Sequence, residues 1–152
     1  MIPYQNISFP DHLDMRWLGG TTKPDGSYYA WTDYMLLHEF RCFYTRGTGS
    51  GVVTGEAGFI FDRSSIPQFA RSFIPKDGSW QAISTTHDVV FGQKGVPGCE
   101  TFEEANALLM AGMLGHRRGT NPQVIRTPWL QRNAIYQAVS SPIGRAIWED
   151  SD

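Results

Sequence analysis

A ten-residue stretch from Gly58 to Pro67, which reads GFIFDRSSIP, places the strongest constraint on the fold. Its first half is an aromatic and aliphatic run, which is typical of a half-buried strand. Its second half carries Asp and Ser side chains, which bond to nearby backbone N–H groups in turns and at helix starts. Pro67 lacks an N–H group and has a preset φ, so it suits the first turn of a helix. The stretch therefore predicts a strand, a sharp corner and a helix entry.

The chain before this stretch has the strand formers and turn signals of one small antiparallel sheet. Residues 1–20 contain two prolines and a Gly-Gly pair and are expected to form an irregular arm. The turn signal Lys23-Pro24-Asp25-Gly26 predicts a hairpin between Arg16–Leu18 and Tyr28–Trp31. The other expected parts of the sheet are one long strand over Tyr34–Tyr44, a turn over Gly47–Gly51 and a return strand from Val52–Thr54 toward Phe59–Phe61.

The chain after Pro67 has the apolar spacing and the start signals of helices. Thr101 and Glu104 form a capping box, in which each side chain can bond a free backbone N–H group near the other. A Thr or Ser followed by Pro predicts two later helix starts, at Thr127-Pro128 and Ser141-Pro142. The expected helices are Gln68–Ile74, Ile83–Phe91, one from the capping box to Gly115, one from Pro128 and one from Pro142 to Trp148.

These patterns predict an α+β fold, with a small N-terminal antiparallel sheet followed by a C-terminal bundle of three to four helices. At 152 residues the chain is expected to be a single domain over 1–152. Its parts are an N-terminal arm or hairpin at 1–33, the sheet at 34–67 and the helical part at 68–148.

Composition excludes several classes of protein. A net charge of −2 gives no basic surface for nucleic acid or for an anionic membrane. No apolar run approaches the ~18 residues of a membrane span, and the first residues lack the pattern of a signal peptide. Synthesis in a cytoplasm is therefore expected. Cys42 and Cys99 are interpreted as two separate buried thiols, with a disulfide between them as the alternative.

The pair His87-Asp88 is the sharpest candidate for catalytic chemistry. His can act as a general base near neutral pH, and Asp can bind a metal or orient an imidazole. Adjacent residues on a helix point about 100° apart, so the two side chains would serve different partners. The structural alternative is a buried His bonded to a backbone carbonyl, with Asp88 bonded to a loop N–H group.

A second polar group is predicted at the corner, where Asp62, Ser64 and Ser65 could bind a substrate. Asp62 is a catalytic candidate together with His87 and Asp88, and the alternative is that it only caps the corner. Asn106 lies one step from the buried face of the capping-box helix and could reach a partner helix. Asp62 and Asp88 are the candidate metal ligands. Calcium requires roughly 6–8 oxygen ligands, so no cofactor is expected beyond weakly bound calcium.

The order of these motifs resembles a family of small proteins of tailed bacteriophages and prophages, catalogued as domain of unknown function 1353. The resemblance covers residues 34–148 and includes Gly58–Pro67, His87-Asp88 and Glu103–Asn106. The closing motifs are Tyr136-x-x-Val139 and Gly144. The family usually has Asp where this chain has Asn106, and a Pro near Glu56. The resemblance implies a phage-encoded protein that is made in the host cytoplasm and then enters the virion.

A fainter resemblance is to secreted phospholipases, which carry a His-Asp pair on one helix and an Asp on the facing helix. The resemblance would make His87 the general base, Asp88 a calcium ligand and Asn106 the residue that orients the imidazole. An Asn in that role holds the ring but stabilises imidazolium poorly. The sequence shows neither the glycine-rich calcium loop nor the disulfide framework of those enzymes.

Two functions follow as hypotheses, and a third, binding of a host protein, has no specific residue in its favour. The first is a virion structural or accessory component in the tail, neck or capsid. The second is a small hydrolase of a cell-envelope ester or amide bond, with His87 as general base. The aromatic residues of 1–33 suit binding to other virion proteins or self-association. Deletion of residues 1–20 is accordingly expected to leave a folded core from about Tyr28 onward but to abolish self-association or incorporation into particles. Those aromatic residues are Tyr4, Phe9, Trp17, Tyr28, Tyr29 and Trp31.

Overall fold

The computed structural model describes residues 3–62, 81–114 and 129–150. In these ranges the strands precede the helices and form two antiparallel sheets, which confirms the α+β class. The strands are β1 (Tyr4–Ser8), β2 (Met15–Trp17), β3 (Asp33–Leu36), β4 (Phe40–Arg46), β5 (Gly49–Gly55) and β6 (Ile60–Asp62). The helices are α1 (Gln81–Gly92), α2 (Phe102–Leu114), α3 (Trp129–Val139) and α4 (Pro142–Asp150).

The first sheet has the order β1-β4-β5, with β4 at its centre. β4 and β5 form a hairpin through Gly47 and Thr48, and Gly47 adopts a φ of 61° that glycine tolerates without strain. β1 pairs with the other side of β4. The segment expected to be an irregular arm therefore contains a strand of this sheet, and its residues Tyr4 and Ile7 are fully buried.

The second sheet has the order β2-β3-β6. The turn at Lys23–Gly26 lies where the sequence placed it, and the Gly26 N–H group donates to the Lys23 carbonyl at 3.0 Å. The chain pairs antiparallel across this turn, where Thr22 bridges to Tyr28 and the Tyr29 N–H group donates to the Thr21 carbonyl at 2.9 Å. The expected pairing of Arg16–Leu18 with Tyr28–Trp31 is wrong, because β2 pairs with β3. The Asp33 carboxylate accepts the Ala30 N–H group at 2.9 Å, and this bond turns the chain just before β3 begins.

The expected long strand Tyr34–Tyr44 is two strands in different sheets, so the prediction of one sheet is wrong. Residues 37–39 separate β3 from β4 and are exposed. The Leu37 N–H group donates to the Asp14 carbonyl, whereas the Arg41 N–H group donates to the Asp11 carboxylate, both at 2.9 Å. The backbone N–H groups on the two sides of the bend at residues 37–39 are therefore bonded to different partners. The return strand divides in the same way, with β5 beside β4 and β6 beside β3.

The helices begin with the predicted caps. Thr101 Oγ accepts the Glu104 N–H group at 3.1 Å, and the Glu104 carboxylate accepts the N–H group of Glu100 at 3.3 Å. Ser141 Oγ accepts the Gly144 N–H group at 3.3 Å. The predicted helix at 68–74 and the start at 127–128 lie outside the described residues. Among the helices of the described ranges, none is long and apolar enough to cross a membrane.

α1 lies in the interior and contacts β4, β5, β6 and α2. Every residue from Ala82 to Phe91 is buried. Gly112 of α2 lies directly against the Ile83 side chain, where a Cβ atom would overlap it. Because this glycine lets the two helices approach closely, the polar side chains of α1 are enclosed beside α2.

Cys42 and Cys99 are both buried and free, in agreement with the interpretation as separate thiols. Burial raises the pKa of the Cys42 thiol to about 12 and that of the Cys99 thiol to about 11. Since a thiolate is the reactive form of cysteine, both residues are unreactive side chains of the core at neutral pH.

Candidate functional site

The candidate site lies on α1, where His87 and Asp88 occupy the middle of the enclosed helix. His87 is 2% exposed, and Asp88 is also buried. A polar or charged side chain at this depth requires polar partners to offset the loss of hydration. The packing of α1 therefore selects which groups these two residues can meet.

The structure brings His87 and Asn106 together across the contact between α1 and α2. Their Nε2 and Oδ1 atoms are 2.9 Å apart, and the Asn106 Nδ2 group donates to the Val139 carbonyl of α3 at 3.3 Å. Because the amide nitrogen faces Val139, the amide oxygen faces the imidazole and can only accept. Nε2 therefore carries the proton of the neutral ring, and Nδ1 is the basic nitrogen.

The surroundings of His87 favour the neutral imidazole. Its ring centroid lies 4.2 Å from that of Phe91, which also contacts Phe102 and Trp148. Burial lowers the pKa of His87 to about 4, although the hydrogen bond with Asn106 opposes the shift. An uncharged amide does not stabilise imidazolium as a carboxylate would. The ring is therefore unprotonated at Nδ1 across the physiological pH range.

The remaining predicted site residues are placed only in part. Asp88 is not free, because it is engaged in an interaction within the fold. Asp62 is the last residue of β6, opposite Asp33 of β3, and β6 contacts α1. Its side chain, like Ser64 and Ser65, lies outside what the structure describes. The structure thus places β6 and α1 side by side without describing a contact between the Asp62 and Asp88 carboxylates.

The predicted metal ligands are Asp62 and Asp88. In the ranges 3–62, 81–114 and 129–150, no three or more His, Cys, Asp or Glu side chains are grouped so that they could hold a metal ion. Asp62 and Asp88 alone offer too few oxygens for calcium.

Arg132 on α3 is a buried cation that the sequence analysis missed. It is engaged in an interaction, as a buried charge requires. Leu130, two positions earlier on the same helix, is exposed. Arg132 precedes Ile135 by three residues and Val139 by seven, so all three share one helical face. That spacing was the signal that could have identified Arg132.

A second candidate surface lies at the end of β2 and in the loop between β2 and β3, within the aromatic segment that the sequence analysis expected to bind a partner. Trp17 and Trp31 meet edge to face with ring centroids 4.5 Å apart, and the Trp17 indole N–H donates to the Trp31 carbonyl at 2.8 Å. Trp31 is 72% exposed and Trp17 is 44% exposed. We call these two residues the tryptophan pair. Large exposed aromatic side chains held in one arrangement are typical of binding surfaces.

The fold and the enclosed His87–Asn106 contact define a small α+β protein with a polar group between its helices. Residues 34–139 match the family model described as "Protein of unknown function (DUF1353)", and the chain belongs to that family. The family expected from the sequence motifs is confirmed. Comparisons with curated proteins and with solved structures found no match. The matched residues run from β3 to the end of α3 and include His87 and Asn106, but not the tryptophan pair.

Proposed function

We propose that this protein is a structural or accessory component of a bacteriophage particle and that it binds another particle protein through the tryptophan pair. The exposure of Trp31 is the observation that carries the proposal. Leaving a large aromatic face in water is unfavourable for an isolated protein, and a partner that covers it recovers that free energy.

The pair is held in place before any partner binds. The hydrogen bond to the Trp31 carbonyl fixes the Trp17 ring, which lies over Gly19 where a Cβ atom would overlap it. The bond from Ala30 to Asp33 holds the backbone next to Trp31. A surface that is already ordered loses little conformational entropy on binding, so more of the contact energy appears as affinity.

The position of the pair also supports a partner that is specific to this protein. Trp17 and Trp31 both precede residue 34, where the family match begins. The family match therefore covers the central strand β4, α1 and α2, whereas the tryptophan pair lies before it. We infer that the tryptophan pair, which lies outside the family match, selects the partner.

Replacement of Trp31 by Ala is expected to remove the protein from purified particles of the phage that encodes it. Tryptophans at the centre of interfaces contribute about 2 kcal/mol or more, which corresponds to a loss of about 30-fold in affinity. Quantitative mass spectrometry of particles made with each variant measures this loss. Trp129→Ala is the matched control, because Trp129 is 67% exposed but lies on α3.

Equal amounts of the Trp31→Ala and wild-type proteins in particles would contradict the role of the tryptophan pair. Absence of the wild-type protein from particles would contradict the proposed function itself. Both variants are expected to keep the wild-type melting temperature within a few degrees, since each replaces an exposed side chain.

A hydrolase is the second candidate function, and the contact between His87 and Asn106 favours it. This contact holds a neutral imidazole in one tautomer, as a general base requires. Asn106→Asp would restore the acidic residue usual in the family and should increase turnover of a chromogenic ester or of purified peptidoglycan, whereas His87→Gln should abolish it. Turnover that is absent in the wild type, or that is unchanged by His87→Gln, would reject this candidate.

A further inference from the structure

The two edges of the first sheet differ in how well they are protected against pairing with another chain. At the β1 edge, the register with β4 shifts between Gln5 and Ser8, and Asn6 adopts a φ of 53°. A bulge is one of the means by which proteins block an edge strand. The β1 edge is therefore irregular.

β5 has no bulge in the described part of the chain, and α1 contacts it on the buried face of the sheet, where Gly55 lies against Val89. All of its residues, Gly49–Gly55, pair with β4 in one unbroken register. The strand reads GSGVVTG and contains neither a proline nor a charged residue. Gly49, Ser50 and Val52 are exposed. A regular, uncharged edge strand is a template for another strand.

The hairpin geometry determines which groups of β5 face outward. Arg46 and Gly49 flank a two-residue turn and so form a hydrogen-bonded pair, after which bonded and non-bonded pairs alternate along the strands. Ser50, Val52 and Thr54 are in the non-bonded pairs. Their N–H and C=O groups point away from β4, at the open side of the sheet, and their side chains lie on its outer face.

We propose that β5 pairs antiparallel with β5 of a second copy of this chain, about a two-fold axis at Val52, to form one continuous sheet. In this register Val52 faces Val52 of the other copy, and Ser50 faces Thr54. The residues whose N–H and C=O groups point away from β4 then lie opposite each other in the two copies, as antiparallel hydrogen bonding requires. Every residue of the strand is paired, and both termini of β5 end opposite a glycine.

The side chains favour a second copy over a foreign strand. The two-fold register places apolar opposite apolar and hydroxyl opposite hydroxyl, which are stabilising cross-strand pairs. No like charges oppose each other, because β5 has none. Phe43 and Val52 form an exposed apolar pair on the outer face, at 38% and 40% exposure. The two-fold axis would place the same pair of the second copy beside it, so that the two pairs form one apolar patch. Two-fold symmetry is also the commonest arrangement of identical chains.

Sedimentation velocity over about 1 µM to 1 mM, the range of a weak interface of this small size, tests the proposal. The wild type is expected to form dimers as concentration rises. Val52→Glu places two carboxylates opposite each other at the axis and should weaken dimerisation at least about tenfold. Gln5→Glu is the matched control, because it adds the same charge at an exposed position of β1, at the opposite edge of the sheet. It should remain dimeric.

Amide hydrogen exchange locates the interface. The amides of Ser50, Val52 and Thr54 should exchange more slowly at high concentration, whereas those of Gly51 and Val53, already bonded to β4, should not change. A wild type that stays monomeric at about 1 mM would overturn the proposal. A dimer that Val52→Glu leaves intact, or one without this protection pattern, would overturn it as well. Because Trp31→Ala should leave the dimer unchanged, this test is independent of the tryptophan pair.

Discussion

Removal of residues 1–20 is expected to leave a chain that does not fold. Within this segment Tyr4 and Ile7 are fully buried and Phe9 is nearly so, and β1 pairs with the central strand β4. The Tyr4 hydroxyl donates to the Gly98 carbonyl at 2.8 Å, which links β1 to the loop between α1 and α2. Full burial of each large apolar side chain contributes about 1.5–3 kcal/mol, so the loss is comparable with the whole stability of a domain.

Circular dichroism and the dispersion of amide resonances measure this result directly. Two point variants of β1 provide a graded test on the same strand. Ile7→Ala should lower the free energy of unfolding by about 2–5 kcal/mol, whereas Gln5→Ala, at an exposed position, should change it by less than about 0.5 kcal/mol. A truncated chain that unfolds cooperatively would contradict this prediction and would support the separate core expected from the sequence.

The backbone of β1 explains why the sequence did not reveal this strand. Its buried residues Tyr4 and Ile7 are three positions apart, whereas a regular strand buries every second residue. The bulge at Asn6 inserts the extra position, and its φ of 53° is not visible in a pattern of apolar residues. The prolines at positions 3 and 10 then made the segment look irregular. A local irregularity of the backbone thus concealed an essential strand.

The helices were more predictable, because their signals are local. Thr101 and Ser141 cap α2 and α4 with the bonds that their side chains can make only at a helix start. The bend at 37–39 was not predictable in this way, since the bonds that form it reach back to Asp11 and Asp14. Long-range partners decided which strands shared a sheet.

The local features of the candidate site were likewise predictable from the sequence, whereas the features that depend on distant residues were not. The sequence placed His87 and Asn106 on two helices, and Asn106 near the buried face of its helix. It did not show that α1 is buried on all sides, because this depends on strands from both sheets. Arg132 was missed because an Arg on a helix is usually exposed. The sequence therefore showed which polar residues lie on which face of a helix, but it did not show how deeply they are buried.

Acid is expected to destabilise the protein through His87 before most carboxylates titrate. Its pKa is about 4 in the folded state, whereas an unperturbed His has a pKa of about 6.5. Above pH ~6.5 the ring is neutral in both states and has no effect. Between pH ~6.5 and 4 the unfolded chain binds a proton at His87 that the folded chain does not bind. The free energy of unfolding therefore decreases as the pH is lowered. The total loss is about 3 kcal/mol.

Urea unfolding at several pH values between about 7.5 and 4.5 measures this loss, and His87→Gln is the control. The other titratable groups are common to both proteins, so their effects cancel in the difference. The wild type should lose stability more steeply than the variant as pH falls. Asn106→Asp provides a second variant, because a carboxylate beside the ring would raise the pKa of His87 and reduce the slope. Parallel curves for wild type and His87→Gln would show that the imidazole is hydrated or protonated in the folded protein.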